Sequence, residues 1–164
     1  MRLTATYQLG NVEHFKKQAC AWASQFKQAA VLLGNTEPSQ GKYLEYDMLV
    51  GIGALSEITP TTQSFNALEK YQQQVQDWLF GYLSYDLKNE LEDLSSSNSD
   101  GLQFPQMHFF QPKWVIAVKG NTVQIHFPDS LELKEMHQLF GEIMQYQIHD
   151  WKSYIPRVQA KLTK

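Results

Sequence analysis

The chain has 164 residues, of which 43% are hydrophobic and 13% aromatic, so it fits one domain with a sizeable core. Its formal net charge is -3 at pH 7, and no run of lysine and arginine stands out, which disfavours nucleic acid as a partner. No stretch approaches the roughly 18 apolar residues that cross a bilayer, and no signal peptide is evident. Cys20 is the only cysteine, so an intramolecular disulfide is excluded and a cytoplasmic location is expected.

The first part of the chain predicts a strand, a helix and a second strand. Residues 2–7 alternate apolar and polar side chains, as a half-buried strand does. Asn11 can cap a following helix by accepting a hydrogen bond from an amide of its first turn. Cys20 in this helix is expected to be a small packed side chain. The apolar run 29–33 predicts a buried strand. The apolar face of the helix is predicted at Phe15, Ala19, Trp22, Ala23 and Phe26.

The middle of the chain predicts a long strand, a helix and a short strand. Residues 42–58 form the strand region, in which Gly51 and Gly53 indicate a bend, a bulge or a close approach of another backbone. Residues 78–85 again have the composition of a strand, and the polar segment 95–101 predicts a surface loop. Between the strand regions 42–58 and 78–85, a helix is predicted to carry Phe65, Leu68, Tyr71 and Val75 on one face.

The last part predicts a β-hairpin and a helix. Runs 114–118 and 122–127 flank a turn with Gly-Asn, residues that tolerate positive φ. Asp129 is predicted to begin the helix, with Glu132 at the spacing of a capping box. Strands and helices alternate irregularly, which predicts an α+β fold with a mostly antiparallel sheet and packed helices. The apolar stripe of the helix is predicted at Leu133, Met136, His137, Phe140, Ile143 and Met144, with His137 packed at its edge.

Few motifs point to chemistry. The histidines lack metal-ligand spacing, and no nucleophile elbow, phosphate loop or dinucleotide motif is present. Asp86, Glu90 and Asp93 would share one face of a helix and could hold a hard cation, although a solvated acidic face is the commoner outcome. Aromatic residues cluster at 78–85 and 104–114, which predicts either core or an interface for another domain or a small aromatic ligand.

Residues 80–92 (FGYLSYDLKNELE) resemble a segment of the chorismate-utilising synthases. The GYxxYD core is similar in the amino-terminal regions of aminodeoxychorismate synthase component I (para-aminobenzoate synthase component I) and anthranilate synthase component I. The continuation LKxELE is more similar to the aminodeoxychorismate branch. Residues 105–112 (PQMHFFQP) resemble the family's next strand. The whole chain, 1–164, can be aligned with the family's first domain, and the specific part of the match is 78–126.

The resemblance implies a domain that supports catalysis located elsewhere. These enzymes aminate chorismate in a carboxy-terminal chorismate-binding domain that holds Mg2+, with ammonia from a glutamine amidotransferase subunit. The aminodeoxychorismate branch makes 4-amino-4-deoxychorismate for folate synthesis. Residues 153–160 (SYIPRVQA) are similar to the helix that leads into the catalytic domain, and the chain stops at Lys164. The resemblance therefore implies that this chain has no catalytic or metal-binding residue and is inactive alone. Its implied partners are the catalytic domain and the amidotransferase.

The resemblance also implies a candidate ligand site. Many members bind tryptophan beside a Leu-Leu-(Glu/Asp/His)-Ser segment and a Ser-Arg-(Tyr/Phe) strand. Residues 32–35 (LLGN) and 44–47 (LEYD) match these segments, with asparagine in place of the serine and Glu45 in place of the arginine. The alternatives are that these are core strand residues, that the chain belongs to an anthranilate synthase, or that it is a stand-alone binding domain. The implied pocket residues are Leu33, Gly34, Asn35 and Tyr46.

Overall fold

The computed structural model describes residues 1–34, 45–92 and 103–148, and in these ranges the fold is α+β with an antiparallel sheet, as the sequence predicts. Within them, no helix has the length and apolar character to span a membrane. The first elements in chain order are β1 (Arg2–Gln8), α1 (Val12–Ala23), β2 (Ala29–Leu33), β3 (Met48–Ile58) and α2 (Ser64–Val75). They are followed by β4 (Phe80–Leu83), a 3₁₀ helix (Tyr85–Glu90), β5 (Met107–Lys119), β6 (Thr122–Pro128) and α3 (Leu133–Gln145).

The sheet is organised around β5. Its strand order is β1-β6-β5-β3-β2, and β4 pairs with the beginning of β5. The hairpin between β5 and β6 is confirmed, with Lys119 opposite Thr122 and Gly120 at a φ of +54°. Because β3 covers one edge of β5 from 109 to 118, β4 and β6 share the other edge. Between them, residues 111–114 of β5 pair with no described strand on that shared edge.

One face of the sheet packs against α1 and α3 and forms the main core. Asn11 caps α1 as predicted, its Oδ1 accepting from the His14 amide at 3.0 Å. The side chain of Gln18 in α1 donates to the carbonyls of Met144 and Tyr146, at 2.7 and 3.2 Å, and so links α1 to the end of α3. Most of the predicted face of α1 is buried in this core, including Phe15, Ala19, Trp22 and Ala23.

A smaller cluster lies on the other face of the sheet. It contains Phe80, Phe110 and Val115, with Trp78 packed against them. Gly51 permits this packing, because a Cβ there would lie 2.7 Å from the ring of Phe80. The close approach at this glycine is thus made by a side-chain ring, whereas the sequence predicted the approach of another backbone. Gly53 adopts a φ of +66° just before the register of β3 and β5 shifts, which confirms the predicted irregularity.

Two sequence predictions about burial and helix start are wrong. β2 is an edge strand, and Leu32 and Leu33 remain 57% and 64% exposed. They are exposed because, among the described residues, no strand pairs with the outer edge of β2 and much of both its faces is uncovered. α3 begins at Leu133, since β6 continues to Pro128 and the Asp129 amide donates to the Met1 carbonyl. The capping box is formed by Glu132 and Glu135.

The predicted stripe of α3 also needs correction. Met136 and Ile143 are buried and Phe140 is partly buried, but Leu133 and Met144 are exposed and Leu139 is buried in their place. His137 is exposed, with its Nδ1 3.1 Å from the Tyr7 hydroxyl. The predicted strand 42–58 is β3 from Met48 onward. Residues 42–44, the loop 95–101 and the segment 153–160 lie outside the described residues.

Candidate functional site

The structure separates the residues predicted to hold tryptophan. Leu33 and Gly34 line a cavity of about 580 Å³ beside α1. Tyr46 lies on the other face of the sheet, 6.4 Å from the Trp78 ring, and lines a different cavity of about 240 Å³. The backbones are adjacent, since the Gly34 amide donates to the Asp47 carbonyl at 2.8 Å, but the side chains of Leu33 and Tyr46 diverge. Asn35 lies outside the described residues.

The acidic residues that follow β4 serve the fold. Glu90 accepts from the amide of Ser64 at 2.7 Å and from its hydroxyl at 2.6 Å, at the first residue of α2. A carboxylate at this position satisfies a free amide and lies at the positive end of the helix dipole. Asp86 is exposed and 3.9 Å from the Lys88 ammonium, and Asp93 lies outside the described ranges. In the part of the chain described, no three potential ligands among His, Cys, Asp and Glu come together to hold a metal ion.

Replacing Glu90 with alanine is expected to destabilise the domain by about 1 kcal/mol, as the loss of a side-chain helix cap does. The matched control is Glu92→Ala, a nearby exposed acid with no side-chain bond to the described residues. Urea unfolding compares the two free energies, and hydrogen exchange of the α2 amides locates the effect. Equal stability of both variants would show that Glu90 does not cap α2.

The structure gives physical reasons for the residues in the segment that resembles the synthases. Phe80 and Leu87 are buried, only 5% and 2% exposed, and anchor β4 and the 3₁₀ helix. Gly81 passes so close to β5 that a Cβ would collide with the carbonyl oxygen of His108 and lie 2.7 Å from the Phe109 Cα. This position therefore requires glycine for packing, whatever role the segment has.

An ion pair that no local sequence pattern predicts closes the gap between β4 and β6. The Arg2 Nε lies 2.7 Å from an oxygen of Asp77, and their side chains are 10% and 17% exposed. The guanidinium also donates to the carbonyls of Pro112 and Lys113, on the part of β5 that neither β4 nor β6 pairs with. Gln111 donates to Asp77 at 2.8 Å. Arg2 thus supplies the hydrogen bonds that a strand would supply elsewhere.

The ion pair perturbs two titrating groups. Burial acts to raise the pKa of Asp77, but hydrogen bonds from Arg2, Gln111 and the Trp78 amide, with the charge of Arg2, bring the pKa below its ordinary value. Burial lowers the pKa of His126, and the charge of Arg2 lowers it further against the opposing effect of Asp77. His126 stacks on Trp78 at 5.8 Å, and its buried Nε2 has no hydrogen-bond partner in the described structure.

The described side chains offer limited chemistry. Burial raises the pKa of the Cys20 thiol, which favours the unreactive thiol form over the thiolate. The neutral form of His126 is favoured and its Nδ1 lies 2.9 Å from the Thr4 hydroxyl, but among the described residues no third group bonds Nε2 to orient the ring, as the base of a nucleophile pair requires. These features are those of a structural cluster. In comparisons with known proteins, the chain matches no protein-family model and has no significant match among curated proteins.

Proposed function

We propose that the chain is the amino-terminal domain of an aminodeoxychorismate synthase component I. With a glutamine amidotransferase, that enzyme converts chorismate to 4-amino-4-deoxychorismate for folate synthesis. In this proposal the domain has a structural role and presents a surface on which the chorismate-binding domain packs. The supporting observation is a group of exposed large apolar side chains at or beside the segment that resembles the synthases. Its members are Tyr82, Leu83, Tyr85, Leu91 and Phe104.

The exposure of this group supports an interface. Tyr85, Leu91 and Phe104 are 82%, 71% and 69% exposed, although single exposed apolar residues are common on any surface. Several large apolar side chains from one segment are less common and are typical of surfaces that bind another protein. Buried Phe80 and Leu87 hold the same segment in place, so its exposed side chains need little ordering when a partner covers them.

The proposal assigns Mg2+ and chorismate to the catalytic domain and assigns no catalytic step to this chain. The antiparallel α+β fold agrees with it at the level of fold class. The resemblance in 80–92 makes the aminodeoxychorismate branch the first choice over anthranilate synthase.

The native gene product provides the direct test. We expect a mass well above 19.0 kDa and, with an amidotransferase, glutamine, chorismate and Mg2+, formation of 4-amino-4-deoxychorismate identified by mass spectrometry. Anthranilate as the product would assign the chain to the sister enzyme. A native mass near 19.0 kDa without amination of chorismate would contradict the proposal and favour a stand-alone binding domain.

Substitution of Tyr85 tests the interface itself. Tyr85→Ser is expected to lower synthase activity of the full-length protein by about fivefold or more, because a covered aromatic side chain commonly contributes over 1 kcal/mol to an interface. It should change the stability of the 164-residue chain by less than about 0.5 kcal/mol, since Tyr85 is 82% exposed there. Leu133→Ser, at a 59% exposed position on α3, is the matched control. Equal activity of the two variants would remove Tyr85 from the interface.

A further inference from the structure

α1 has a second face, beside the one that packs in the core, and this face lines a cavity. Residues spaced four, three and four apart on this helix form one wall of the cavity of about 580 Å³. The opposite wall comes from Leu33 and Gly34 at the end of β2 and from Ile148 after α3. The volume lies in the range of about 300 to 1,000 Å³ that is typical of small-molecule sites. The wall residues are Glu13, Lys17 and Cys20 on α1 and Ser24 at its C-cap.

The lining of the cavity favours an apolar ligand. Leu33 is 64% exposed and Ile148 is 37% exposed, and both border the cavity beside Cys20 and Ala21. A ligand that covers these groups removes apolar surface from water, which favours binding. Because most of the lining belongs to α1 and β2, it requires little rearrangement to accept the ligand.

The charges around the cavity favour one acidic group on the ligand. The Lys16 ammonium lies 2.9 Å from a carboxylate oxygen of Glu13, so these two charges offset each other. Asp47 accepts a hydrogen bond from the Gly120 amide at 2.6 Å. Of the charged residues that line the cavity in the described structure, Lys17 alone has no hydrogen-bond or ion-pair partner. Its ammonium is the group left to meet an anion.

We propose that this cavity binds a small apolar molecule with a single negatively charged group. The apolar part contacts Cys20 and Leu33, and the charged group meets the ammonium of Lys17. The site differs from the implied tryptophan pocket, because Tyr46 lies on the other face of the sheet. Of the two carboxylates that line the cavity, Glu13 is paired with Lys16 and Asp47 accepts from the Gly120 amide, so Lys17 is the charged group without a partner in the described structure. The proposal does not depend on the assignment to a synthase.

Two fluorescent probes that differ in charge test the ligand class. Anilinonaphthalene sulfonate is apolar with one negative charge, and N-phenyl-1-naphthylamine is its neutral counterpart. Lys17→Gln is expected to weaken binding of the sulfonate by about threefold to fivefold, as the loss of one exposed charge pair does, and to leave the neutral probe unchanged. Lys134→Gln on α3 is the matched control. Equal affinity of wild type and Lys17→Gln for the sulfonate would overturn the proposed contact between the negative group of the ligand and Lys17.

The single cysteine locates the bound probe. Saturating sulfonate should slow alkylation of Cys20 by iodoacetamide in the wild-type chain by about fivefold or more, because an occupied site blocks access. Cys20→Phe should fill the cavity and weaken both probes, whereas Cys20→Ala should not, and circular dichroism checks that both variants fold. An unchanged alkylation rate at saturation would overturn the site, and this test needs no variant. Failure of either experiment leaves the proposed synthase assignment unaffected.

Discussion

Replacing Arg2 with alanine is expected to lower the free energy of unfolding by about 3 kcal/mol, the lower end of the cost of removing one partner from a buried ion pair, because this pair is largely but not fully buried. The change leaves the Asp77 carboxylate, 17% exposed, without its cation. It also removes the donors to the carbonyls of Pro112 and Lys113. Urea unfolding at pH 7 measures the difference, and a loss below about 1 kcal/mol would show that water replaces the guanidinium at little cost.

Two further variants separate the effect of the Arg2 charge from the effect of its planar set of hydrogen-bond donors. Arg2→Lys keeps the charge but not the planar set of donors, so it should recover only part of the lost stability. The double variant Arg2→Met/Asp77→Leu removes both charges and should be more stable than Arg2→Met alone, because no buried carboxylate is left without a partner. If the double variant is less stable than the single one, the charge of Asp77 is not the source of the effect.

The same cluster gives stability a defined pH dependence. Asp77 has a folded pKa below its ordinary 3.8, so its contribution is present above that value and is lost as pH falls through the lower folded pKa. His126 has a folded pKa below 6.5, so its contribution is likewise present above 6.5 and is lost as pH falls. The unfolding free energy of wild type should therefore decrease as the pH falls below 6.5. His126→Phe should reduce this decrease, which precedes the loss of the Asp77 contribution at lower pH.

Gly81→Ala is the second substitution with a large expected effect, a loss of about 3 kcal/mol by overpacking. The added Cβ would meet backbone atoms of His108 and Phe109, which cannot rotate away as a flexible side chain can. β4 must then separate from β5, and Phe80 loses its position over Gly51. Thermal and urea unfolding measure the loss, and hydrogen exchange should show unprotected amides in β4.

Gly141→Ala is the matched control for this prediction. Gly141 lies within α3, and a Cβ there has no atom within 4 Å. Alanine is favoured over glycine inside a helix by about 1 kcal/mol, so this variant should be as stable as wild type or more stable. If the two alanine variants have equal stability, β4 tolerates a displacement from β5 and the close approach at Gly81 has no energetic role.

The sequence predicted the features of the fold that depend on neighbouring residues. Strand alternation, the Asn11 cap and the turn at Gly120 are local patterns, and the structure confirms all three. The burial of β2 was predicted wrongly, because an AAVLL run has the same pattern in a central strand and at an edge. The Arg2 and Asp77 pair was missed because 75 positions separate its members and only the strand order brings them together.

The candidate site was predicted less well than the fold. Residues 33–34 and 46–47 do meet through their backbones, but a match of short segments carries no information on the direction of side chains. Leu33 and Tyr46 consequently lie on opposite faces of the sheet. The spacing of Glu13, Lys17 and Cys20 on α1 was available in the sequence. This spacing alone does not predict a cavity, because the residues that line the other side of the cavity are distant along the chain.

The pairing of β1 with β6 has a consequence for synthesis of the protein on the ribosome. Arg2 contacts the His126 carbonyl across 124 positions of sequence, and among the described strands β1 has β6 as its one partner. Among the described strands, β1 is therefore translated earliest and waits longest for its partner. Contacts of such long sequence separation slow folding, since the entropy of closing the loop must be overcome first. We expect the nascent chain to gain its full resistance to protease only after β6 has left the exit tunnel.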